Sequence, residues 1–329
     1  MAPSAPFETE PGSAAFRDST LLFDLTGRAE IAVSGRDRAD FLQGLLTNDV
    51  KKLHPGEGCA AALLSPKGKM RADVVVLCRD RELLLDAERD LASPLDATLR
   101  SYVFFQQVAI ESRTETTAVL HVEGEGAEEI LKKVLGREGP EAPHASVLSS
   151  DRLVVRESRA GFEGFDFRIP RADAARLFAA LVGVGAVAAS LPLLEVARIE
   201  AGIPRWGAEL TEAVLPDEAG LTTRGWVSYT KGCYVGQETV ARIRTYGHVN
   251  RSLVGLLIPL GDLPAPGTGV YRDEQKVGAV TSAVSSTRFS RIVALAYVQR
   301  DHAAPGTPLF LRLPSGPIQA LVASFPLAG

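Results

Sequence analysis

AEIAVSGRDRADFLQGLLTNDV, residues 29–50, changes its hydrophobic period half-way along. Residues 29–35 alternate as a half-buried strand does, and residues 37–50 then place Phe41, Leu42, Leu45 and Leu46 on one helical face. Two strand-like runs follow, CAAALLS (59–65) and MRADVVVLC (70–78), joined by the turn PKGK. A further run, LLLDA (83–87), leads to a helix near 92–104 and the strand QVAIES (107–112). The order is strand, helix, strands, helix, strand.

The next stretch repeats it. TAVLHVEG (117–124) reads as a strand and 126–136 as a helix; strands at 152–158 and 164–169 precede RADAARLFAALVGVG (171–185), whose alanines and leucines recur with period 3.6. A β-α-β-β-α-β order appearing twice predicts an α+β chain with two ferredoxin-like halves side by side. PLLEVARIEAGIPRWGAEL (192–210) starts a helix behind a Pro and ends it at Gly202 and Pro204, and 211–250 reads as loop. Beyond Val249, short β-like runs separated by Gly/Pro turns predict a small C-terminal β-barrel. The expected divisions are a mobile tail over 1–20, subdomains over 21–113 and 114–248, and the barrel over 249–329.

With 329 residues, 46% apolar and 23% charged, the chain has the composition of an ordinary globular protein of two or three domains. A net charge of −4 and a pI of about 5.8 argue against nucleic acid as a partner. Apolar runs stay below the roughly 18 residues of a membrane span, and the acidic start lacks the features of a signal or transit peptide. Three scattered cysteines, Cys59, Cys78 and Cys233, form no CxxC pair and fit a reducing cytoplasm; no stable metal site is expected from them.

The segment most suggestive of chemistry is KGCYVGQE, Lys231–Glu238. Cys233 lies between Gly232 and Gly236, residues that permit a tight path with positive φ. Arg224, Lys231, Arg242, Arg244 and Arg251 make the neighbourhood basic, which favours a thiolate. Cys233 is therefore a candidate nucleophile, redox-sensitive thiol or soft metal ligand, against the alternative of an inert packed residue. His248 is fifteen residues away, so no Cys–His dyad follows. A second candidate is Asp73, a carboxylate that interrupts an apolar strand and is costly there unless partnered.

KGCYVGQETVAR is similar to the K-G-C-[YF]-x-G-Q-E motif of the YgfZ family, a branch of the glycine-cleavage T-protein superfamily. LFDLTGRAEIAVSGRDRADFLQGLLTNDV resembles the opening of that superfamily, and RIEAGIPRWGAEL followed by PDEAGL resembles its central folate-site motif. The resemblance implies tetrahydrofolate or a derivative as bound ligand, with Glu200 accepting from the pterin and Asp73 positioning the folate. It also implies Phe162 as a stacking ring and Arg224, Arg242, Arg244 and Lys231 as cations near the ligand, with Trp226 and Trp206 stacking on the pterin or filling core. The T proteins carry adjacent aspartates where this chain has Ala72–Asp73, and RAGFEGFDF (159–167) is shorter than their segment. These departures favour an accessory factor for iron–sulfur cluster assembly or repair, with Cys233 as its thiol and iron–sulfur proteins as partners. The alternative is an aminomethyltransferase acting on a lipoyl carrier, and a third reading is a folate-binding module without catalysis.

Overall fold

The computed structural model describes residues 14–149 and 152–325. In chain order its elements begin with α1 (Ala15–Asp18), β1 (Thr20–Asp24), β2 (Ala29–Ser34), α2 (Arg38–Gln43), β3 (Gly58–Leu64), β4 (Met70–Cys78), β5 (Glu82–Ala87), α3 (Ala92–Ser101) and β6 (Ala109–Ser112). There follow β7 (Thr117–Gly124), α4 (Ala127–Leu135), β8 (Ser146–Ser149), β9 (Arg152–Arg156), β10 (Gly164–Pro170), α5 (Ala174–Gly183), β11 (Val187–Ala188), α6 (Leu191–Glu200) and α7 (Gln237–Tyr246). The last strands are β12 (Arg251–Ile258), β13 (Gly269–Arg272), β14 (Gln275–Ser286), β15 (Arg291–Gln299), β16 (Pro308–Leu313) and β17 (Gly316–Ala323).

The first sheet runs β3-β4-β5-β2-β6, and the second runs β11-β1-β7-β10-β9-β8. Dropping the edge strand β3, the first has the order of a ferredoxin-like sheet. The second is modified, because β1, from the start of the chain, inserts between β7 and β11: it pairs antiparallel with β7 and parallel with β11. The boundary expected at 113/114 is thus crossed by residues 20–24. The expected tail also ends early. Residues 1–13 lie outside the described residues, while Phe16 on α1 is fully buried and stacks 5.8 Å from Phe23.

Strand alternation builds the layers. In the first sheet Ile31, Val33, Ala72, Val74 and Leu85 face α2 and α3, whose Phe41, Leu42, Leu95 and Leu99 complete that core. Leu120, Val122, Phe165 and Phe167 face α4 and α5 in the second. The two remaining faces meet each other, with Ala32, Leu77 and Leu84 against Leu153 and Val155. The result is helices, sheet, sheet, helices.

The C-terminal strands close a six-stranded barrel, β12-β15-β14-β13-β16-β17, around its own apolar core. Ile199 at the end of α6 packs on Val293 and Leu295 of that barrel. Segment 206–240 covers the remaining end of the first sheet: Leu210, Val214, Leu221, Val227, Tyr234 and Val240 pack on Ala62, Leu64 and Met70. Among the described residues no helix is long and apolar enough to cross a membrane.

Candidate functional site

Asp73 is placed by the pleat of β4. Ala72 and Val74 point into the helix-side core, so Asp73 points to the opposite face, where it lies in register with Ala62. On that face Ala62 is covered by segment 206–240 and Leu77 by the second half. Asp73 falls between the two coverings, where the halves and the loop-rich segment converge. Its Oδ1 is buried with no hydrogen-bond partner. Burial first, and the charge of Glu88 second, push its carboxyl up to about 7. A carboxyl poised there can hold or release a proton near neutral pH.

Beside it the contact between the sheets becomes ionic. Arg28 forks onto Asp86 at 2.8 and 3.0 Å and reaches Glu88 at 2.5 Å. Arg168, from the second half, bridges to Asp86 at 2.6 Å, to Glu30 at 2.9 Å and to Asp166 at 3.3 Å. Arg159 binds Asp166 at 2.5 Å, and His121 lies between Asp166 (2.8 Å) and Glu123 (2.7 Å). Glu123 also accepts the backbone N–H groups of Arg159, Ala160 and Phe162, which fixes loop 158–162. Clamped by Arg168 and Arg28, which overcome the burial penalty, Asp86 stays well below the usual carboxylate range. Burial alone would strip the proton from His121, but hydrogen bonds to Asp166 and Glu123 outweigh it and raise its pKa.

The cysteine segment docks on the first half. Lys231 donates to the carbonyls of Gln43 (2.7 Å), Leu46 and Asn48 (3.0 Å). All three N–H bonds of its ammonium are thereby committed to the end of α2, where the helix dipole also favours a cation, so none is left for a ligand. Burial lowers its pKa to about 8. Thr47 donates to the Trp226 carbonyl at 2.7 Å, and Val235 N–H donates to Gly44 at 3.1 Å. Gly236, at φ +82°, caps α7, and its α-carbon faces the Ser65 carbonyl; Gly232 has open space and no positive φ, so only one of the two glycines sets the tight path. Cys233 is exposed. Cys78 is buried, and Cys59 is packed on the same core with its thiol pushed up by burial to about 12.

The other expected ligand contacts are dispersed. Glu200 is 1% exposed and accepts from Ser286 of the barrel at 2.5 Å. Its neighbours in the same motif do similar work: buried Glu209 accepts from Arg198 (2.6 Å) and from Ser282 of the barrel (2.6 Å). RIEAGIPRWGAEL therefore fastens the barrel to α6, and Glu200 takes part in that through Oε1. Phe162 stacks on Phe16 at 5.2 Å, so one face of its ring is already covered. Arg224 is exposed and donates one N–H to Gly202 at 2.8 Å. Trp226 and Trp206 are half-buried against the core under segment 206–240. Arg242 and Arg244 are exposed on α7, the latter 3.8 Å over the Tyr229 ring.

Two sequence families cover this architecture: the GCVT N-terminal domain matches residues 8–227 and the glycine cleavage T-protein C-terminal barrel domain matches residues 251–328. The chain belongs to the glycine cleavage T-protein family. An aminomethyltransferase of Geobacillus kaustophilus is 32% identical over 310 residues, covering 89% of this chain and 82% of that protein. That of Thermoanaerobacter sp. (strain X514) is 28% identical over 326 residues, covering 94% and 86%. A putative chloroplastic transferase of Arabidopsis thaliana is 28% identical over 298 residues, covering 89% and 68%. The crystal structure of glycine cleavage system aminomethyltransferase T from Bartonella henselae superposes with a TM-score of 0.88 over 96% of this chain and 88% of that one; at 24% identity the likeness concerns the fold.

Within this T-protein fold, the sequence singles out Asp73 but not the charged residues at the contact between the two sheets. Their signal was present: Glu30, Asp86, His121, Glu123, Asp166 and Arg168 each occupy a polar position inside an otherwise apolar strand. Among the described residues no three His, Cys, Asp or Glu side chains are placed to hold a metal ion.

Proposed function

We propose that this chain binds tetrahydrofolate and takes part in one-carbon transfer of the aminomethyl type, with Asp73 as its acid–base group. The observation that carries the reading is the half-buried Asp73 carboxyl, with one buried oxygen lacking a hydrogen-bond partner and its pKa pushed up to about 7, where the two halves and segment 206–240 converge. An orphaned carboxyl oxygen fits a ligand that brings ring N–H donors. The family and the names of the related aminomethyltransferases support it. When bound, tetrahydrofolate supplies a nucleophilic nitrogen that accepts a one-carbon unit. Asp73 accepts a hydrogen bond from the ligand and holds or releases one proton. Arg224, with N–H groups beyond the one given to Gly202, and Arg242 and Arg244 attract the carboxylates of the folate tail. Trp226 supplies a half-buried ring in the same segment as Arg224.

The Ala72–Asp73 departure argues less against transfer than the sequence suggested. Adjacent strand residues point to opposite faces, and Ala72 lies fully buried in the helix-side core. An acid at 72 would not join Asp73 on its face.

The test pairs two measurements on the purified protein. Calorimetric titration with tetrahydrofolate is expected to give saturable binding, and ammonia is expected from an aminomethylated lipoyl carrier when tetrahydrofolate is present. Asp73→Asn should keep binding within about tenfold and lose at least about a hundredfold in ammonia release. No heat of binding and no ammonia would reject the proposal. A second reading, folate-assisted maintenance of iron–sulfur proteins, draws on the exposure of Cys233 while Cys59 and Cys78 are packed. It expects Cys233→Ala to fail in restoring iron–sulfur enzyme activity to a deletion strain; full restoration would remove it.

A further inference from the structure

The register of the first sheet brings a second acid to Asp73. β4 and β5 pair antiparallel as far as Val75 opposite Asp86, and the two chains run on from that last pair to Asp73 on β4 and to Glu88 just past the end of β5. β5 and β2 pair with Glu30 opposite Asp86, so the same extension sets Arg28 beside Glu88 on its other side. Because side chains alternate, all three point to the face that meets the second half. A row therefore crosses the sheet, acid, acid, cation: Asp73, Glu88, Arg28. Of the charges that act on Asp73, that of Glu88 is the largest.

We propose that Glu88 is a positioning residue of the Asp73 site: clamped by Arg28, it fixes a negative charge beside Asp73 and disfavours a second one there. Arg28 holds Glu88 through a 2.5 Å contact while forking onto Asp86; its charge also reaches Asp73 and favours ionisation there, but more weakly than Glu88 opposes it, and Asp86 adds to that opposition. Although burial opposes ionisation of Glu88, the charge and hydrogen bond of Arg28 draw its pKa below the ordinary value. The same two carboxyls are thus driven apart, one up and one down, the arrangement by which neighbouring acids divide the roles of proton holder and anion. Other charges facing this row are already paired. Arg159 and Arg168, from the second half, bind Asp166 and Asp86. Glu209, from the covering segment, binds Arg198, and Arg71 on β4 turns to Glu212.

The inference rests on the acid–base reading of Asp73, but its readout requires no folate. Full-length protein carrying 13C-labelled aspartate would be titrated by NMR from pH 4 to 9, with the Asp73 carboxyl signal assigned by its loss in Asp73→Asn. The wild-type midpoint is expected near 7, and Glu88→Gln, which keeps the hydrogen bond from Arg28 but loses the charge, should lower it by about one pH unit or more. Glu88→Asp keeps the charge and should hold the midpoint within about half a unit. An unchanged midpoint in Glu88→Gln, or a wild-type midpoint below about 5, overturns the proposal. Should Glu88→Gln not fold, Glu88→Ser tests the same loss of charge. A correct Asp73 titration with no tetrahydrofolate binding would instead reject the functional reading and leave the acid pair standing.

Discussion

Asp73 combines two properties that pull against each other. A carboxyl with one buried, unpartnered oxygen is poorly placed for stability and well placed for chemistry. Its folded pKa is raised, so the native state holds a proton that the unfolded chain has already released between about pH 4 and 7. Stability therefore falls as pH rises through that window, and the full cost is present above it. Asp73→Asn should stabilise the protein by about 1–3 kcal/mol at pH 8 and by little at pH 4, as read by urea unfolding at both values. A stabilisation equal at the two pH values would show that the carboxyl has the same pKa in the folded as in the unfolded chain, so that folding does not raise it. The same residue shows what a sequence discloses at this scale. A lone acid in MRADVVVLC was enough to select it, because alternation alone says that it must leave the apolar face. Glu200 was selected through a motif, and the motif's acid turned out to hold Ser286 of the barrel, a partner 86 residues away that no local pattern contains.

Among elements, most strands and helices with strong periodicity were legible to within a few residues, but the helix expected over 37–50 is only α2, Arg38–Gln43, with Leu45 and Leu46 buried beyond its end. β1 and α7 were not assigned as elements. β1 is short, and its pairing with β7 is fixed a hundred residues later in the chain. α7, QETVARIRTY, has no apolar stripe; Val240 is its fully buried side chain, and its start is fixed by contact with the hairpin 65–69. That contact separates the two glycines of KGCYVGQE. An added Cβ at Gly236 would stand 2.5 Å from the Ser65 carbonyl, on a backbone already at φ +82°. Gly236→Ala should cost about 2–4 kcal/mol and loosen the whole 231–246 segment. Gly232→Ala, with nothing within 4 Å, should stay within about 0.5 kcal/mol of wild type. Thermal unfolding of the two variants, with hydrogen exchange over 231–246, makes the comparison; equal losses would mean that the close approach to Ser65 is not maintained in solution. Lys231→Met tests the neighbouring anchor: three carbonyls lose their donor, and about 1–3 kcal/mol should be lost with them.

At the scale of the molecule, the two halves are joined by a small apolar patch beside an extended ionic one, in which Glu30, Asp86, Glu88, Glu123 and Asp166 face Arg28, Arg159, Arg168 and His121. Five carboxylates against three arginines leave two negative charges, one of which a protonated His121 offsets. Neutral His121 can donate to only one of its two carboxylates, so the other would be left facing a lone pair. Its raised pKa makes the sign definite: the stabilisation is fully present below the ordinary histidine value of about 6.5 and is lost as pH rises through the higher folded value. Unfolding free energy should therefore decline above about pH 6.5, approaching about 1.4 kcal/mol per pH unit for a single proton. His121→Asn should be less stable at pH 6, because two buried carboxylates lose a cation, and should show a flatter profile above pH 6.5. Urea unfolding of both proteins in an Asp73→Asn background, at half-unit steps from pH 6 to 9, isolates the histidine in the difference between the two profiles, where the raised His144 and the lowered Lys231 cancel. If the slope above pH 6.5 is the same with and without His121, the junction between the halves is held by the arginines alone.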